Sequence, residues 1–251
     1  MSKIALITGA NRGLGRDTAL RLAEDGVDLI LTYRSNAVEA QEVVETATKL
    51  GRTAVALQLD VARVATFDQF VADVRSLLAE HWRRETFDFL VNNAGIGSYA
   101  MIGEVTEDDF DQLMNVHVKG VFFLTQKLLP VLADGGRIIN LSTGLTRFTT
   151  AGFSAYASMK GAVEVFTRYL AKELGPRGIT ANTVAPGPIA TDFAGGAVRD
   201  SEEFRNALGS QTALGRVGAP EDIGGVAAAL LADGTGWVNA QRIEASGGML
   251  I

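Results

Sequence analysis

Short apolar runs alternate with segments of helical periodicity along the whole chain. The first run, Lys3–Ile7, is followed by apolar residues at helical spacing through Leu14–Glu24, and the same pattern recurs several times. Near-continuous apolar strands separated by helices are typical of a parallel sheet that helices cover on both faces. Right-handed crossovers lay one helix across the sheet after each strand. The alternation therefore predicts a doubly wound α/β fold.

The predicted elements follow one another through short connections. The strands are predicted at Lys3–Ile7, Val27–Tyr33, Thr53–Leu59, Phe87–Val91, Arg137–Leu141, Ile179–Val184 and Gln241–Glu244. The helices are predicted at Leu14–Glu24, Ala37–Leu50, Thr66–Ala79, Glu107–Leu132, Ser154–Leu174 and Pro220–Leu231. A polar segment at about 188–215 is longer than an ordinary connection, which predicts a substrate lid. No linker or repeat indicates a second domain, so we expect one domain over 1–251.

Composition and charge exclude several classes of function. The formal net charge of -6 and the lack of a dense Lys/Arg run argue against nucleic acid as a partner. The chain has no cysteine, and His81 and His117 are too few for a histidine-rich zinc site, so we expect no metal. No apolar stretch reaches the roughly 18 residues that a membrane span needs, and none at the N-terminus resembles a signal peptide. We expect a cytoplasmic protein without a membrane partner.

A glycine-rich loop joins the first predicted strand to the first predicted helix. Glycines at this spacing permit a tight turn and a close approach of the backbone to a ligand. The helix that follows directs its N-terminus at a bound pyrophosphate. The loop therefore predicts a dinucleotide-binding site formed by Gly9, Asn11, Arg12, Gly13, Leu14 and Gly15.

The end of the second predicted strand indicates which nucleotide is preferred. In NAD-preferring sites an acidic residue here accepts hydrogen bonds from the ribose hydroxyls and repels a 2′-phosphate. This chain has Arg34 and Ser35 at that position and no carboxylate. Arg34 and Arg12 can both form charge-assisted hydrogen bonds with a 2′-phosphate. We predict that NADP(H) is preferred over NAD(H); the alternative is that both arginines are solvated surface residues.

Five motifs in sequence order make the chain resemble the short-chain dehydrogenase/reductase family, including its 3-oxoacyl-[acyl-carrier-protein] reductases. They are the glycine loop, Asp60-Val61, Asn92-Asn93-Ala94-Gly95, Tyr156-x-x-x-Lys160 and Ala185-Pro186-Gly187. The resemblance covers the whole chain. It implies a Rossmann fold with a seven-stranded parallel sheet, a nicotinamide cofactor, and a homo-oligomer that is a dimer or a tetramer.

The resemblance also assigns residues to the cofactor groove. Taken alone, the side chains of Asn92 and Asn93 have an alternative role in satisfying backbone groups at a strand end, and Thr191 has one in capping a short helix. The implied groove residues are Asp60 and Val61 beside the adenine, Asn92, Ala94 and Gly95 along the groove, and Pro186, Gly187, Ile189 and Thr191 toward the nicotinamide.

Tyr156 and Lys160 are four residues apart in a predicted helix, so their side chains share one face and can act on one ligand. A nearby ammonium group favours the phenolate form, so we expect the pKa of Tyr156 to be lowered. Such a tyrosine can donate a proton to a carbonyl oxygen or remove one from an alcohol. We predict that Tyr156 is the general acid/base, and the resemblance implies that Lys160 also holds the nicotinamide ribose.

The hydroxyl that orients the substrate oxygen has two candidates. The family serine stands about thirteen residues before the tyrosine, a spacing that selects Thr143, whereas Ser142 matches the residue type. Successive strand residues point to opposite faces, so one of the two reaches the substrate. We favour Thr143.

A second departure from the family pattern lies in Met114–Gly120. The family asparagine falls at His117 and not at Asn115 when counted from the Asn-Asn-Ala-Gly motif. In the family, the backbone carbonyl at this site helps to hold a water that links the lysine to solvent, and a main-chain group survives the substitution. Two roles stay open for the imidazole of His117, namely proton transfer near neutral pH and simple packing in the helix.

The sequence thus predicts an NADP(H)-dependent oxidoreductase that interconverts a carbonyl and a secondary alcohol in a largely apolar pocket. The alternatives are a sugar or polyol dehydrogenase of the same family and a non-catalytic NADP(H)-binding sensor or interaction protein. An acyl carrier protein is a doubtful partner. By resemblance, Arg177 matches one basic docking position, but Asp134 occupies the other.

Overall fold

A seven-stranded sheet organises the chain in the computed structural model, which describes residues 2–251. The strands are β1 Ile4–Ile7, β2 Asp28–Tyr33, β3 Ala54–Gln58, β4 Phe87–Asn92, β5 Leu132–Leu141, β6 Thr180–Pro186 and β7 Arg242–Ala245. Their order across the sheet is β3-β2-β1-β4-β5-β6-β7, and every neighbouring pair is parallel. The predicted doubly wound parallel sheet is confirmed.

Helices cover both faces of this sheet. They are α1 Gly13–Glu24, α2 Ala37–Lys49, α3 Phe67–Leu77, α4 Glu107–Leu113, α5 Gly120–Leu128, α6 Ser154–Leu174, α7 Ala197–Asp200, α8 Glu202–Gly209 and α9 Pro220–Leu231. Alternate residues of β1 serve the two faces: Ala5 and Ile7 pack with α1, α2 and α9, whereas Ile4 and Leu6 pack with α3, α5 and α6. No helix within residues 2–251 has both the length and the apolar composition that a membrane crossing requires.

The single helix predicted at Glu107–Leu132 is wrong. The helical path changes to a π-helical turn at Met114–Lys119, continues as α5, and ends in a short 3-10 turn before β5 begins. Pro130 lies in that last turn, and a proline cannot continue the i to i−4 hydrogen bonding of a helix. The π-helical turn precedes Gly120, whose backbone packs so closely on the carbonyl of Val61 that a side chain there would overlap it. Such turns are frequent at functional sites, and this one carries His117.

The strand order places a crevice above the centre of the sheet. β1 lies between β2 and β4, so the helices that follow β1 and β4 leave toward opposite faces. Ligands of open α/β sheets bind at the carboxyl ends of the strands at such a switch point. The glycine loop after β1, the Asn92–Gly95 segment at the end of β4 and the residues that follow β5 and β6 all lie at this edge.

The segment predicted as a lid, 188–215, contains a 3-10 turn at Phe193–Gly196 followed by α7 and α8. Both of its ends are tied to the body of the protein. Ile189 forms a bridge with Gly218, and Thr212 forms an antiparallel bridge with Met249 near the C-terminus. The part between these bridges reaches the crevice at Asp192 and Phe193.

Asp17 provides a test of the packing between α1 and α9. Its Oδ1 atom is buried without a hydrogen-bond partner among residues 2–251, where α1 packs on Gly224 of α9. Burial, followed by the charge of Glu221, raises the pKa of this carboxyl. The folded protein therefore binds this proton more tightly than the unfolded chain does. As the pH rises from the carboxyl's pKa in the unfolded chain to its higher pKa in the folded protein, the free energy of unfolding falls.

We expect Asp17→Asn to raise the Tm at neutral pH by about 2 °C, because the variant carries no buried charge to desolvate. The gain should shrink as the pH falls and the wild-type carboxyl becomes protonated. Thermal melts followed by circular dichroism measure both effects. Glu42→Gln, an exposed position on α2, is the matched control and should leave the Tm unchanged. A Tm for Asp17→Asn equal to or below that of the control would contradict the expectation.

Candidate active site

The glycine loop turns sharply at the end of β1 and touches the end of β4. Gly9 and Gly13 have φ values of +63° and +56°, in the left-handed region that favours glycine. A Cβ atom on Gly9 would lie 3.0 Å from the Cα atom of Ala94, which has no room to move away. Glycine at position 9 is therefore required both by its backbone conformation and by its contact.

Asn93 holds these two segments together by satisfying backbone groups at the end of β4, a role that its residue type suggested. Its Nδ2 donates to the carbonyl oxygens of Thr8 and Gly9 at 2.9 and 3.0 Å. The hydroxyl of Thr8 in turn accepts hydrogen bonds from the backbone N–H groups of Asn93 and Ala94, each at 3.0 Å. The residue type gave a signal, since a polar amide directly after a buried strand can bond the neighbouring loop.

The side chain of Asn92, in contrast, does not line the groove. It is buried in the sheet, where its Nδ2 donates to Oγ1 of Thr125 at 3.0 Å and to Oδ1 of Asn140 at 2.8 Å. The amide thus satisfies buried side-chain groups of α5 and β5, and not the backbone groups of the alternative role considered for it. A place for Asn92 along the groove stays a prediction that concerns its backbone.

The N-terminus of α1 fits a bound anion. Its N-cap residue, Arg12, is extended, and no side chain within residues 2–251 caps the helix start. The first-turn N–H groups of a helix have no intrahelical partner and carry partial positive charge. No acidic residue in that first turn competes for them. Gly13, Leu14 and Gly15 thus present the cradle that a pyrophosphate requires.

The predicted nucleotide-binding side chains border this cradle. Arg34 and Ser35 are exposed directly after β2. The side chain of Arg12 is 61% exposed, and its Nη1 lies 3.7 Å from Oδ2 of Asp192 in the lid segment. Two positively charged side chains are therefore accessible near the ribose end of the crevice. Asn11 binds within the protein, since its Nδ2 donates to Oε2 of Glu39 at 2.6 Å.

The residues predicted beside the adenine form a tight turn after β3. Oδ1 of Asp60 accepts the backbone N–H of Ala62 at 3.0 Å, and the carbonyl of Val61 packs on Gly120. Both predicted residues are half-buried. Their backbone is consequently fixed by local bonds at this edge of the crevice.

The residues predicted toward the nicotinamide continue from β6 into the lid. Pro186 is buried at the end of β6, and the N–H of Gly187 donates to the carbonyl of Ala245 at 3.0 Å. The partly buried Ile189 packs against the core beneath the crevice. Thr191 is buried, and a Cβ atom on Gly13 would lie 3.9 Å from its Cβ atom. The lid segment therefore begins directly beside the phosphate cradle.

Tyr156 and Lys160 form a buried pair on α6, at the carboxyl end of β5. Lys160 Nζ donates to the carbonyl of Leu141 at 2.7 Å and lies 5.8 Å from the centroid of the Tyr156 ring. The hydroxyl of Thr143 lies near the phenol of Tyr156 and lowers its pKa, and it accepts the backbone N–H of Leu145 at 3.3 Å. The side chains of Tyr156 and Lys160 are 7% and 5% exposed, so their protonation is set by the protein rather than by bulk water.

Burial dominates the pKa values of this pair. It raises the pKa of Tyr156 far above its ordinary value, and the hydrogen bond with Thr143 offsets only part of this effect. Burial also lowers the pKa of Lys160 to about 7. The lowered tyrosine pKa expected from the sequence is thus wrong in direction, because desolvation of the phenolate is the largest effect. Tyr156 therefore holds its proton at neutral pH.

The structure distinguishes the two candidate hydroxyls. Ser142 Oγ donates to Oε1 of Glu164 at 2.6 Å, which directs it away from Tyr156. Thr143 is the residue whose hydroxyl reaches the phenol. Adjacent strand residues face opposite ways, which is why only one of them joins the pair.

His117 is buried behind Tyr156. Its Nε2 lies 2.8 Å from the carbonyl oxygen of Ile96, and its ring meets the Tyr156 ring edge-on at 5.3 Å and 82°. A Cβ atom on Gly95 would lie 2.9 Å from Cε1 of His117, so this close packing depends on a glycine. Burial and then the charge of Lys160 lower the pKa of His117 to about 3. The imidazole is neutral at physiological pH.

Aromatic side chains surround the open side of the pair. Tyr99 is 68% exposed, and its ring packs edge-on against Phe153 with centroids 5.4 Å apart. Gly152 leaves room for the Tyr99 ring, which any side chain there would overlap. Phe193 lies 5.8 Å from the Tyr156 ring and is 43% exposed. The approach to Tyr156 is therefore apolar and largely aromatic.

Two further side-chain groupings bear on partners and metals. Arg177 Nε pairs with Oδ1 of Asp134 at 2.7 Å, and its remaining nitrogens donate to the carbonyls of Leu129 and Leu132. Its charge is thus already engaged within the chain. Within residues 2–251 no cluster of three or more His, Asp or Glu side chains is arranged to hold a metal ion.

Comparisons with known proteins agree with this architecture. The family model described as Enoyl-(Acyl carrier protein) reductase matches residues 9–250. The chain is 38% identical to an uncharacterized oxidoreductase of Methylorubrum extorquens, over 98% of this chain and 97% of the relative. It is 36% identical to the tetrahydroxynaphthalene reductase PfmaG of Pestalotiopsis fici, over 98% and 91%. The crystal structure of the angucycline C-6 ketoreductase LanV with bound NADP superposes with a TM-score of 0.93 at 36% identity, covering 99% and 95%.

We expect Gly9→Ala to weaken NADPH binding by at least about tenfold, because the added Cβ strains a left-handed backbone and pushes the loop from Ala94. Titration followed by nicotinamide fluorescence gives the dissociation constant. Gly103→Ala is the matched control, since a Cβ atom there meets nothing within 4 Å. Equal NADPH affinity of the two variants would show that the loop does not contact the nucleotide.

Proposed function

Because the chain belongs to the short-chain dehydrogenase/reductase family of NAD(P)-dependent oxidoreductases, we propose that it reduces a carbonyl group to a secondary alcohol with NADPH, or oxidises that alcohol with NADP. The observation that carries this proposal is the buried group formed by Tyr156, Thr143 and Lys160 beside an open anion cradle. A phenol, a hydroxyl and an amine at one point are the parts that proton transfer to a carbonyl oxygen requires.

The protein's part in the reaction is to supply and hold a proton. A bound nicotinamide supplies the hydride. Tyr156 is protonated at neutral pH, and its hydroxyl donates to the oxygen that gains charge as the hydride arrives. Thr143 orients that oxygen through its own hydroxyl. The amine of Lys160, with a pKa near 7, exchanges a proton at Nζ within the physiological range.

The preference for NADP(H) rests on the charges beside the cradle. Arg34 is exposed after β2, and Arg12 is mostly exposed at the start of α1. β2 is followed directly by Arg34 and Ser35, so no carboxylate stands at its end to repel a 2′-phosphate. Planar guanidinium groups form paired, charge-assisted hydrogen bonds with phosphate oxygens. The LanV structure, a relative of this chain, contains bound NADP.

The substrate is a flat, fused-ring aromatic ketone or a related apolar carbonyl compound. Tyr99, Phe153 and Phe193 line the approach to Tyr156, and aromatic rings bind one another by stacked or edge-on packing. Two relatives are named for fused-ring compounds, tetrahydroxynaphthalene and an angucycline. A sugar or polyol would require a polar lining, so this second candidate is disfavoured. The internal pairing of Arg177 with Asp134 also disfavours an acyl carrier protein.

His117 acts as a positioning residue and does not carry the proton. Its pKa of about 3 keeps the ring neutral, and one nitrogen is already bonded to Ile96. The edge of the ring supports the face of Tyr156, while the bond to Ile96 fixes the loop that precedes Tyr99. The imidazole thereby links the general acid to the substrate side of the crevice.

The segment 188–215 serves as the lid. Arg12 and Asp192 connect the phosphate loop to the start of this segment, and Phe193 adds an aromatic surface next to Tyr156. A lid at this place would exclude water from the proton donor and the nicotinamide.

The chain assembles as a dimer or tetramer through α4, α5 and α6. Phe110, Phe122, Val165 and Tyr169 are exposed apolar or aromatic side chains on these helices. Contiguous apolar surface of this kind marks subunit contacts more often than free surface. The cytoplasmic location expected from the sequence stays a prediction.

The reaction is tested with purified protein, NADPH and a two-ring aromatic ketone, following the loss of NADPH absorbance. We expect Tyr156→Phe to lower kcat/KM by about 10³-fold without weakening NADPH binding, because only the proton donor is removed. Lys172→Gln, an exposed position near the end of the same helix, should behave like the wild type. Turnover retained in Tyr156→Phe would overturn the mechanism. A wild type that oxidises polyols and reduces no ketone would favour the second candidate, and a wild type that binds NADPH without turnover would favour a sensor.

The nucleotide preference is tested by titrating the protein separately with NADPH and NADH. We expect the wild type to bind NADPH more tightly than NADH. Arg34→Gln should weaken the binding of NADPH by about tenfold and leave the binding of NADH unchanged, since only NADPH carries the 2′-phosphate. Arg75→Gln, an exposed position on α3, is the control. Equal affinities of the wild type for the two nucleotides would refute the assignment of Arg34.

A further inference from the structure

Three successive residues at the end of β5 are each held by a different charged side chain. The carbonyl of Leu141 accepts from Lys160 at 2.7 Å, and the hydroxyl of Ser142 donates to Glu164 at 2.6 Å. The carbonyl of Thr143 accepts from Nη2 of Arg242 at 3.1 Å. The last two of these charges belong to residues that neither the motifs nor the proposed reaction uses.

Glu164 accepts hydrogen bonds from three side chains around Thr143. Its Oε1 accepts from the hydroxyls of Ser142 and Thr146 at 2.6 and 2.7 Å, and from Nε of Arg242 at 2.8 Å. Ser142 precedes Thr143, and Thr146 ends the short 3-10 turn that follows it. Glu164 is on α6, eight residues after Tyr156, so it shares a face of the helix with the general acid. This carboxylate thus fixes the residues before and after Thr143 relative to α6, the helix that carries Tyr156.

Arg242 is itself held rigidly on β7. Its Nη1 donates to Oε2 of Glu244 at 2.9 Å, and Glu244 also binds Arg147 through two hydrogen bonds. The bonds from Arg147 and neighbouring donors hold the pKa of Glu244 at about 2, so its charge persists at physiological pH. The charges alternate in sign from Arg147 through Glu244 and Arg242 to Glu164. The Nη2 atom of this paired guanidinium donates to the carbonyl of Thr143 and to Oγ1 of Thr146, each at 3.1 Å.

We propose that the Glu164–Arg242 ion pair is a positioning device that aims the hydroxyl of Thr143 at Tyr156 and at the substrate oxygen. This inference rests on the proposed function. A pair that only tied α6 to β7 would need no bonds to the backbone and side chains around Thr143. Here the contacts converge on residues 142–146, and a displacement of about 1 Å at a reacting group can cost a factor of about 10² in rate.

The test is a double-mutant cycle between Arg242→Met and Thr143→Ala in the ketone reduction assay. We expect Arg242→Met to lower kcat about tenfold in the wild-type background, with an unchanged KM for NADPH. In the Thr143→Ala background, the same substitution should lower kcat less than about twofold. Arg177→Met is the matched control, since Arg177 also joins a carboxylate to carbonyl groups, at the opposite end of β5. Wild-type kcat in Arg242→Met, or an equal loss in both backgrounds, would overturn the proposal.

A second measurement does not depend on turnover. The Thr143 methyl signal in a protein labelled with ¹³C at threonine methyls is identified by its loss in Thr143→Ala. Arg242→Met and Glu164→Gln should shift or broaden this signal, whereas Arg177→Met should not. A wild type that reduces no ketone would refute the proposed function. The methyl signal would still show whether Arg242 and Glu164 position Thr143. An unmoved Thr143 signal in folded Arg242→Met and Glu164→Gln would refute the positioning by itself.

Discussion

The pairing of β1 with both β2 and β4 is the constraint on which the rest of the structure depends. It sends the chain to opposite faces of the sheet and leaves a crevice at the carboxyl edge. The phosphate cradle, the Asn93 bonds to Thr8 and Gly9, and the end of β5 all open onto this crevice. A change that separated β1 from β4 would therefore disperse the groups that the proposed reaction needs.

A single physical effect, desolvation, sets the protonation of the three titratable groups at the centre. Burial raises the pKa of Tyr156, lowers that of Lys160 to about 7 and is the largest cause that lowers that of His117 to about 3. Each shift disfavours a charged form, because a low-dielectric interior stabilises charge less than water does. The site therefore holds a protonated phenol, an amine that titrates near neutrality and a neutral imidazole.

Much of the fold and part of the site could be predicted from local pattern. The strand and helix alternation and the glycine loop are properties of neighbouring residues, whereas the choice of Thr143 over Ser142 came from the spacing in the family that the chain resembles. The π-helical turn around His117 could not be predicted, since it depends on the packing of Gly120 against Val61 from another element. The particular partners of Asn93 could not be predicted either, because they lie more than eighty residues away along the chain.

The sequence by itself determined the alternation of strands with helical segments and, through its five motifs, the family. The alternation follows from periodicity, and the proposed phosphate-binding and proton-carrying roles follow from the conformational freedom of glycine and from the intrinsic chemistry of tyrosine, lysine and arginine. Only the tertiary structure decided the direction of the Tyr156 pKa shift, the inward turn of Asn92 and the contacts that converge on Thr143. Desolvation and hydrogen bonding between distant segments depend on what surrounds a residue in space, and spacing along the chain does not specify those surroundings.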